Sequence, residues 1–215
     1  MNVQHPDIKI RYIRTKNKTR KLVTYSSDDC ELRVRHKRIN DFIEARFIPS
    51  IFSKGYVKNR SIYHNALAHL YNDYFIMLDI KDFFPHICHK QLADKLFYEM
   101  NLLSREQISM KECKNVIELC SVSSRGLPLG FITSPLLSNV YMKEFDGIFF
   151  GQLKKLGLEN PIYTRYVDDI TVSFKYSNRI PPIEVENQVV DLAQSLLSKY
   201  GLQLNNRKKR SYNLN

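Results

Sequence analysis

The sequence predicts an α+β fold in which a four-stranded antiparallel sheet is backed by helices. Two runs of β-forming residues, 162–167 and 170–174, are separated only by Asp168 and Asp169, which predicts a hairpin with the acidic pair at its tight turn. Upstream, five apolar or aromatic residues lead directly into Asp79, as expected for a buried strand that carries a carboxylate at its end. The predicted order of strand, helix, two strands, helix and strand completes the sheet.

The two acidic stretches together indicate a metal site. Adjacent carboxylates repel each other, so a fold that keeps Asp168 and Asp169 at one turn favours a cation beside them. An oxygen-only ligand set suits a hard ion, Mg²⁺ or Mn²⁺. Two strands that each end in an aspartate can hold two ions, the arrangement that clamps the attacking and leaving oxygens of a phosphoryl displacement. For the pair taken alone, a solvated Asp-Asp turn is the alternative.

The first 25 residues predict a hairpin with a basic tip. Ile8, Ile10 and Tyr12 alternate with polar residues, and residues 22–25 resume the β-forming pattern after the polar bend 16–19. The apolar positions Leu32, Ile39, Ile43 and Phe47 then recur near helical spacing, with arginines and lysines between them. This pattern predicts an amphipathic helix whose basic face either touches a polyanion or is simply solvated.

Later segments predict the remaining helices and the last strand. Residues 104–107 have the form of a capping box that opens a helix. A second helix is expected over 134–149, with Ser134 as N-cap, and the apolar stripe of a third covers 189–200. Residues 202–204 are predicted to form the fourth strand of the sheet.

Charge is unevenly distributed along the chain. Residues 1–65 carry a net charge of +9, residues 205–215 add +4, and residues 66–204 carry −2. A basic front and tail around a slightly acidic middle suit a polyanion held near a metal centre; the alternative is that the excess of lysine only keeps the protein soluble.

The four cysteines form no CxxC pair, which indicates a reducing compartment. With no signal-peptide pattern and no apolar run of membrane-spanning length, we expect a cytoplasmic protein with no membrane partner.

Three stretches carry a family resemblance: LDIKDFFP at 78–85, GLPLGFITSP at 126–135 and YVDD at 166–169. In this order they resemble the successive polymerase motifs of reverse transcriptases, most closely those of the bacterial retron and group II intron branch. The resemblance covers nearly the whole chain and implies a right-hand polymerase fingers–palm unit, in which the palm is the predicted sheet.

The resemblance also implies a division of the chain. The fingers would comprise residues 1–73 with 88–132, and the palm residues 74–87 with 133–215. Relatives continue into a primer-gripping hairpin and a helical thumb, and this chain stops before them. The thumb is therefore expected to be absent from this sequence, either because the sequence is a piece of a longer protein or because a non-coding RNA or another protein chain supplies its function.

The resemblance assigns the catalytic and metal-binding residues. Asp79, Asp168 and Asp169 are the expected catalytic carboxylates. Together with Ile80 they are expected to bind two Mg²⁺ ions, with Mn²⁺ as the alternative metal.

Basic residues are the first group expected to bind the incoming nucleotide. Lys18 and Arg20 belong to the hairpin that resembles the part of the fingers closing on the triphosphate, and arginine offers a planar fork of donors suited to phosphate. Lys208 resembles a lysine that lies near the leaving pyrophosphate in the family.

The second group of nucleotide-binding candidates surrounds the sugar. Phe84 corresponds to an aromatic residue whose ring underlies the sugar and leaves no room for a 2′-hydroxyl. Leu129 and Gly130 belong to a loop whose glycines allow a close approach of the backbone to a ligand. Leu129 stands where the family usually has glutamine, so a polar contact with the nucleotide is lost.

The remaining candidates would contact nucleic acid. Lys58 and Arg60 lie in a stretch that resembles a fingers motif, and Tyr166 opens the YVDD motif. The implied partners are an RNA template, the nascent DNA or RNA–DNA hybrid, and dNTPs.

The expected function is that of an RNA-directed DNA polymerase, in a retron or an anti-phage defence system. Two alternatives stay open. One is an untemplated or RNA-synthesising nucleotidyltransferase on the same palm, which Leu129 favours and Phe84 disfavours. The other is a non-enzymatic RNA-binding scaffold, which the missing thumb favours and the intact aspartates disfavour.

Overall fold

The computed structural model describes residues 5–15, 18–176 and 182–214, and not the side chains of Thr15, Lys18 and Pro182. Six strands and seven α-helices lie along the part of the chain that the structure describes. In order they are β1 (Ile8–Thr15), β2 (Lys18–Tyr25), α1 (Glu31–Glu44), α2 (Ile62–Ala68), β3 (Tyr74–Asp79), α3 (Phe83–His86), α4 (His89–Asn101), α5 (Met110–Leu119), α6 (Ser134–Leu153), β4 (Glu159–Tyr166), β5 (Asp169–Lys175), α7 (Pro182–Lys199) and β6 (Arg210–Asn213).

The chain divides into two compact units. The first unit consists of residues 1–48 and 84–141, and the second of residues 49–83 and 142–215. These boundaries separate the parts of the chain that are each compact. The functional division into fingers and palm remains a prediction.

The second unit contains the predicted four-stranded antiparallel sheet, in the order β4-β5-β3-β6. The two central strands, β3 and β5, pair from Tyr74 opposite Phe174 to Asp79 opposite Asp169. The prediction for the fourth strand was wrong. Of residues 202–204, only Leu204 makes a single bridge, to Ile80, whereas the edge strand is β6, which pairs with the first half of β3.

Helices back this sheet through aromatic side chains. On α6, the ring of Phe149 packs against Tyr163 of β4 at 4.9 Å between centroids, and that of Phe145 packs against Tyr200 at 5.8 Å. The Tyr74 hydroxyl of β3 donates to the carboxylate of Glu186 on α7 at 2.6 Å. These contacts bury the middle of the sheet, so β5 is buried along its whole interior.

The first unit is built around the predicted N-terminal hairpin, β1 with β2. Val23 of β2, Leu32 of α1 and Phe131 form its buried cluster. The ring of Tyr25 stacks on Phe131 at 5.1 Å, and its hydroxyl lies 2.7 Å from Nδ1 of the buried His36. The front hairpin and α1 therefore form one core with the segment that precedes α6.

The predicted capping box at 104–107 was wrong by five residues. Helix α5 begins after Ser109, whose hydroxyl accepts from the amide of Glu112 while the Glu112 carboxylate accepts from the Ser109 amide. The hydroxyl of Ser104 donates instead to the carbonyl of Glu106. Two similar patterns stand five residues apart, and only the second opens a helix.

The two long helices were predicted well. Helix α6 begins at Ser134, as expected, and extends four residues beyond the predicted end. Helix α7 is followed by Gly201 at φ 66°, the left-handed conformation that commonly ends a helix. In the part of the chain that the structure describes, no helix is long and apolar enough to cross a membrane.

Candidate active site

The predicted acidic cluster lies at one end of the four-stranded sheet. Asp79 is the last residue of β3 and Asp169 the first of β5, and the antiparallel register sets them opposite each other. The carbonyl of Asp168 accepts a hydrogen bond from the amide of Ile80 at 2.9 Å. Side chains of opposed residues in such a pair are about 4.5–5.5 Å apart at Cβ. The fold thus brings the backbones of the three aspartates and Ile80 together.

The hairpin turn lies one residue earlier than predicted. Tyr166 pairs with Asp169, so the two turn residues are Val167 and Asp168, and Asp169 belongs to the strand. Val167 has a φ of 62°. The acidic pair is therefore split, with one carboxylate on the turn and the other beside Asp79.

Both carboxylate oxygens of Asp79 are engaged by the segment after α7. The Asn205 amide nitrogen donates to Oδ1 at 3.0 Å, and the Lys208 ammonium donates to Oδ2 at 2.6 Å. The side chain of Asp79 is 8% exposed, whereas that of Lys208 is 55% exposed. Lys208 is thus a cation that reaches a buried carboxylate from the surface.

The cluster carries more negative charge than Lys208 balances. Partial burial of its carboxyl group, then the charges of Asp168 and Asp79, raise the pKa of Asp169, while Lys208 lowers it. The pKa of Lys208 is itself raised, first by its hydrogen bond to Asp79 and also by the charges of all three aspartates, against a lowering by burial. A carboxylate whose pKa is raised by burial and then by neighbouring carboxylates indicates a site that favours an additional cation.

The donor set fits a hard divalent ion, since the cluster offers carboxylate oxygens and no thiolate or imidazole. Among the residues that the structure describes, no three His, Cys, Asp or Glu side chains are grouped so that they could hold a metal ion. Asp79 instead bonds Lys208 and Asn205. A cation that takes Asp79 as ligand must therefore compete with, or share the carboxylate with, Lys208.

The predicted nucleotide-binding loop of the first unit packs against β2. The carbonyl of Leu129 accepts a hydrogen bond from the amide of Val23 at 2.7 Å. A Cβ on Gly130, which has a φ of 107°, would lie 2.6 Å from the Val23 carbonyl oxygen. This glycine permits the loop to approach the protein's own backbone, and its approach to a ligand stays a prediction. Arg20, on the same strand, is exposed.

A second backbone contact joins the same loop to Phe84. The Phe84 carbonyl accepts from the amide of Leu127 at 2.9 Å, and a Cβ on Gly126 would lie 2.6 Å from the carbonyl oxygen of Pro85. Phe84 is half-buried, whereas its neighbour Phe83 is fully buried. The fold therefore brings Phe84 together with the loop that carries Leu129 and Gly130.

The other candidates differ in their surroundings. The side chain of Lys18 lies outside the described residues, and Lys58 is exposed. Arg60 donates from Nη1 to the carbonyls of Ser50 and Ser53, at 2.5 and 2.8 Å, so part of its guanidinium holds a loop. Tyr166 is half-buried and pairs with Asp169.

Three residues near the hairpin were not identified from the sequence. Burial, together with the nearby Tyr166 and Asp168, raises the pKa of Tyr56, which places this phenol beside the turn. Arg165 and Asp146 form a completely buried ion pair at 2.7 Å. The sequence gives no clear signal of that pair, because each charge has other polar or charged residues close to it along the chain.

Comparison with known proteins supports the motifs. Residues 15–213 match the family described as reverse transcriptase (RNA-dependent DNA polymerase). The retron Ec73 reverse transcriptase of Escherichia coli is 38% identical over 124 residues, which are 55% of this chain and 38% of that protein. The retron Mx162 reverse transcriptase of Myxococcus xanthus is 28% identical over 169 residues, 74% of this chain and 34% of its own. These matches span less than half of each relative.

Solved structures share the fold. Apo telomerase from Candida tropicalis, truncated from its C-terminal domain, superposes with a TM-score of 0.63 at 14% identity, over 99% of this chain and 52% of that one. Telomerase from Candida albicans, bound to a fragment of telomeric RNA, gives a TM-score of 0.57 at 15% identity, over 96% of this chain and 42% of that one. At these identities the likeness concerns the fold alone.

Proposed function

The chain belongs to the reverse transcriptase (RNA-dependent DNA polymerase) family, and from this premise we propose that it carries the polymerase core of an RNA-directed DNA polymerase. Such an enzyme transfers nucleotides from dNTPs to a primer 3′-hydroxyl on an RNA template. The observation that carries the proposal is the meeting of Asp79, Asp168 and Asp169 at one end of the sheet.

Asp79, Asp168 and Asp169, with Ile80, are the proposed holders of two Mg²⁺ ions, with Mn²⁺ as the alternative. When bound, such ions lower the pKa of the primer hydroxyl and neutralise the triphosphate. Asn205 fixes the orientation of the Asp79 carboxylate. Lys208, kept protonated by its raised pKa, supplies a positive charge that attracts the leaving pyrophosphate.

The remaining sites are proposed on the same footing. Arg20 and Lys18 would bind the triphosphate, and Phe84, Leu129 and Gly130 would surround the sugar and base. The contacts of Gly126 and Gly130 support a fixed loop at this place, because neither position has room for a Cβ. Lys58, Arg60 and Tyr166 would contact template or primer.

The similar proteins suggest the biological setting. Several of them are retron reverse transcriptases, so we place the chain in a retron, with a non-coding RNA as template and partner, in the cytoplasm. A defence role against phage would follow from that setting.

The metal-dependent transfer is tested by primer extension on an RNA template. Asp168→Asn removes one charge at the turn and should lower incorporation at least about a thousandfold, with a nearly unchanged melting temperature, because the residue is not part of the core. Asp191→Asn, an exposed carboxylate of α7 in the same unit, is the matched control and should retain full activity. Comparable activity in the wild type and Asp168→Asn would contradict the proposal.

A second candidate, a polymerase that makes RNA, is favoured by Leu129 in place of glutamine. The two are separated by the sugar, since an apolar ring at Phe84 offers a 2′-hydroxyl no hydrogen bond. Losing that bond costs about 1–3 kcal/mol, or roughly tenfold to a hundredfold in discrimination. We expect the wild type to prefer dGTP to GTP, and Phe84→Val to reduce that preference.

If Phe84 serves only in packing, Phe84→Val will lower the melting temperature and leave the ratio of dGTP to GTP incorporation unchanged. Equal use of both sugars by the wild type would favour the RNA-synthesising candidate. Both quantities are measured on the same preparations.

A further inference from the structure

The turn that presents Asp168 has a backbone conformation that its first residue disfavours. Val167 has a φ of 62°, and a β-branched residue in the left-handed region is a genuine outlier. Of the two turn residues only Val167 has a positive φ, the pattern of a type II′ turn, whose first central position is usually glycine. Such a conformation persists only where the surroundings impose it.

Arg165 provides the first set of contacts that hold the turn. Its guanidinium donates from Nε to Asp146 Oδ1 at 2.7 Å and from Nη2 to Asp146 Oδ2 at 2.9 Å. The third nitrogen, Nη1, donates to the carbonyl of Val167 at 3.0 Å. The hydroxyl of Tyr163 also donates to Asp146 Oδ1, at 2.7 Å. The two-bond fork fixes the guanidinium plane and so directs Nη1 at the turn.

The segment before Gly55 provides the second set of contacts that hold the turn. The Arg165 amide donates to the carbonyl of Phe52 at 2.9 Å, and the Arg165 carbonyl accepts from the amide of Lys54 at 2.8 Å. A Cβ on Gly55 would then lie 2.7 Å from Cγ2 of Val167 and 2.9 Å from its amide nitrogen. Position 55 therefore lies against the turn so closely that any side chain larger than that of glycine would displace Val167.

A buried ion pair is in itself weak evidence for a role beyond the core. Here the pair does more than balance charge, because Arg165 also donates from Nη1 to the carbonyl of Val167, the residue with the strained φ. Both Arg165 and Asp146 are fully buried, so neither can turn away to solvent. Water therefore does not compete for the contact with Val167 in the folded protein.

We propose that Arg165 is a positioning residue: oriented by Asp146 and opposed by Gly55, it holds Val167 in the left-handed conformation and so sets the direction in which Asp168 presents its carboxylate. The consequence of this orientation for nucleotide transfer rests on the proposed function. The conformation of the turn itself can be measured without any assay of activity.

The test compares Arg165→Lys with Tyr163→Phe. Lysine keeps a positive charge for Asp146 but cannot form the fork and reach Val167 together, whereas Tyr163→Phe removes a bond to the same carboxylate and leaves the turn untouched. Hydrogen–deuterium exchange of a peptide covering residues 166–170 should be at least about tenfold faster in Arg165→Lys and unchanged in Tyr163→Phe. Primer extension should show kcat lowered at least about tenfold, with KM for dNTP within about twofold.

A rescue experiment distinguishes positioning from packing. Glycine adopts a φ of 62° without steric cost, so adding Val167→Gly to Arg165→Lys should restore incorporation at least about threefold over Arg165→Lys alone. Should Arg165→Lys fail to fold, Gly55→Ala applies the same exchange measurement from the other side of the turn, with faster exchange again expected.

Unchanged exchange at the turn in a folded Arg165→Lys or Gly55→Ala protein would overturn the inference. The inference would also be overturned if both Arg165→Lys and Tyr163→Phe sped up exchange at the turn in proportion to the drop in their melting temperatures. That result is expected for an ion pair that only stabilises the fold. If the wild type incorporates no nucleotide but the exchange changes as expected, the proposed function fails and the positioning of the turn stands.

Discussion

Two aspartate–cation pairs of the second unit have different surroundings. Asp146 and Arg165 are both fully buried, whereas Asp79 is buried and its partner Lys208 is more than half exposed. A fully buried pair cannot exchange its cation, so it can only fix a shape. A pair with one exposed partner can exchange, because the lysine can move into water when another cation arrives. The first pair suits a scaffold and the second suits a metal-dependent reaction.

The two units also differ in how they fix their candidate residues. The second unit uses charge, through the two pairs described above, together with the close contact of Gly55 with the turn. The first unit uses close backbone contacts, in which Gly126 and Gly130 lie against Pro85 and Val23. The aspartates can therefore respond to the charge of a ligand, whereas the loop near Phe84 is fixed by sterics.

Removing one partner from each ion pair should produce the largest difference. Asp146→Asn leaves the charge of Arg165 buried without its counter-ion, which should destabilise the protein by about 3–5 kcal/mol. Lys208→Met removes a cation that is more than half exposed and leaves Asp79 bonded to Asn205, so the loss should be smaller, about 1 kcal/mol. Urea unfolding of the two variants checks the contrast, and equal losses would mean that the pairs do not differ in kind.

A smaller effect is expected from glycines of the first unit. Gly126→Ala places a Cβ against the Pro85 carbonyl at a φ of 80°, which should cost about 1–3 kcal/mol. Gly147→Ala is the matched control, since nothing lies within 4 Å of the position that a Cβ would take there in α6, and it should stabilise the helix by about 0.5–1 kcal/mol. Thermal unfolding of both variants is the measurement; a tolerated Gly126→Ala would show that the loop is not held by sterics.

The strands that carry the aspartates were predictable because their apolar runs are long and buried. The fourth strand was not, since β6, which pairs with β3, is exposed along its whole length. The strand was predicted instead over residues 202–204, where two leucines alternate with a glutamine. An edge strand of polar residues carries no periodic signal that a sequence could display.

The site was predictable in part for a similar reason. The motifs identify Asp79, Asp168 and Lys208 by residue type and order, but they give no partner for each side chain. That Lys208 bonds Asp79 itself, and that Arg165 reaches the turn, depends on which side chains the folded sheet and helices bring together. Lys208 and Asp79 are 129 positions apart, and Arg165 is directed to the turn by Asp146, 19 positions away; spacing alone does not reveal such partners.

The central claim is that the aspartate cluster exchanges its lysine for divalent cations, and Mn²⁺ binding followed by electron paramagnetic resonance tests it most directly. We expect the wild type to bind Mn²⁺, Asp168→Asn to lose at least about tenfold in affinity, and Lys208→Met to bind more tightly than the wild type, because a competing cation is gone. Asp191→Asn should bind as the wild type does. A wild type that binds no Mn²⁺, or an Asp168→Asn protein that binds it unchanged, would contradict the account.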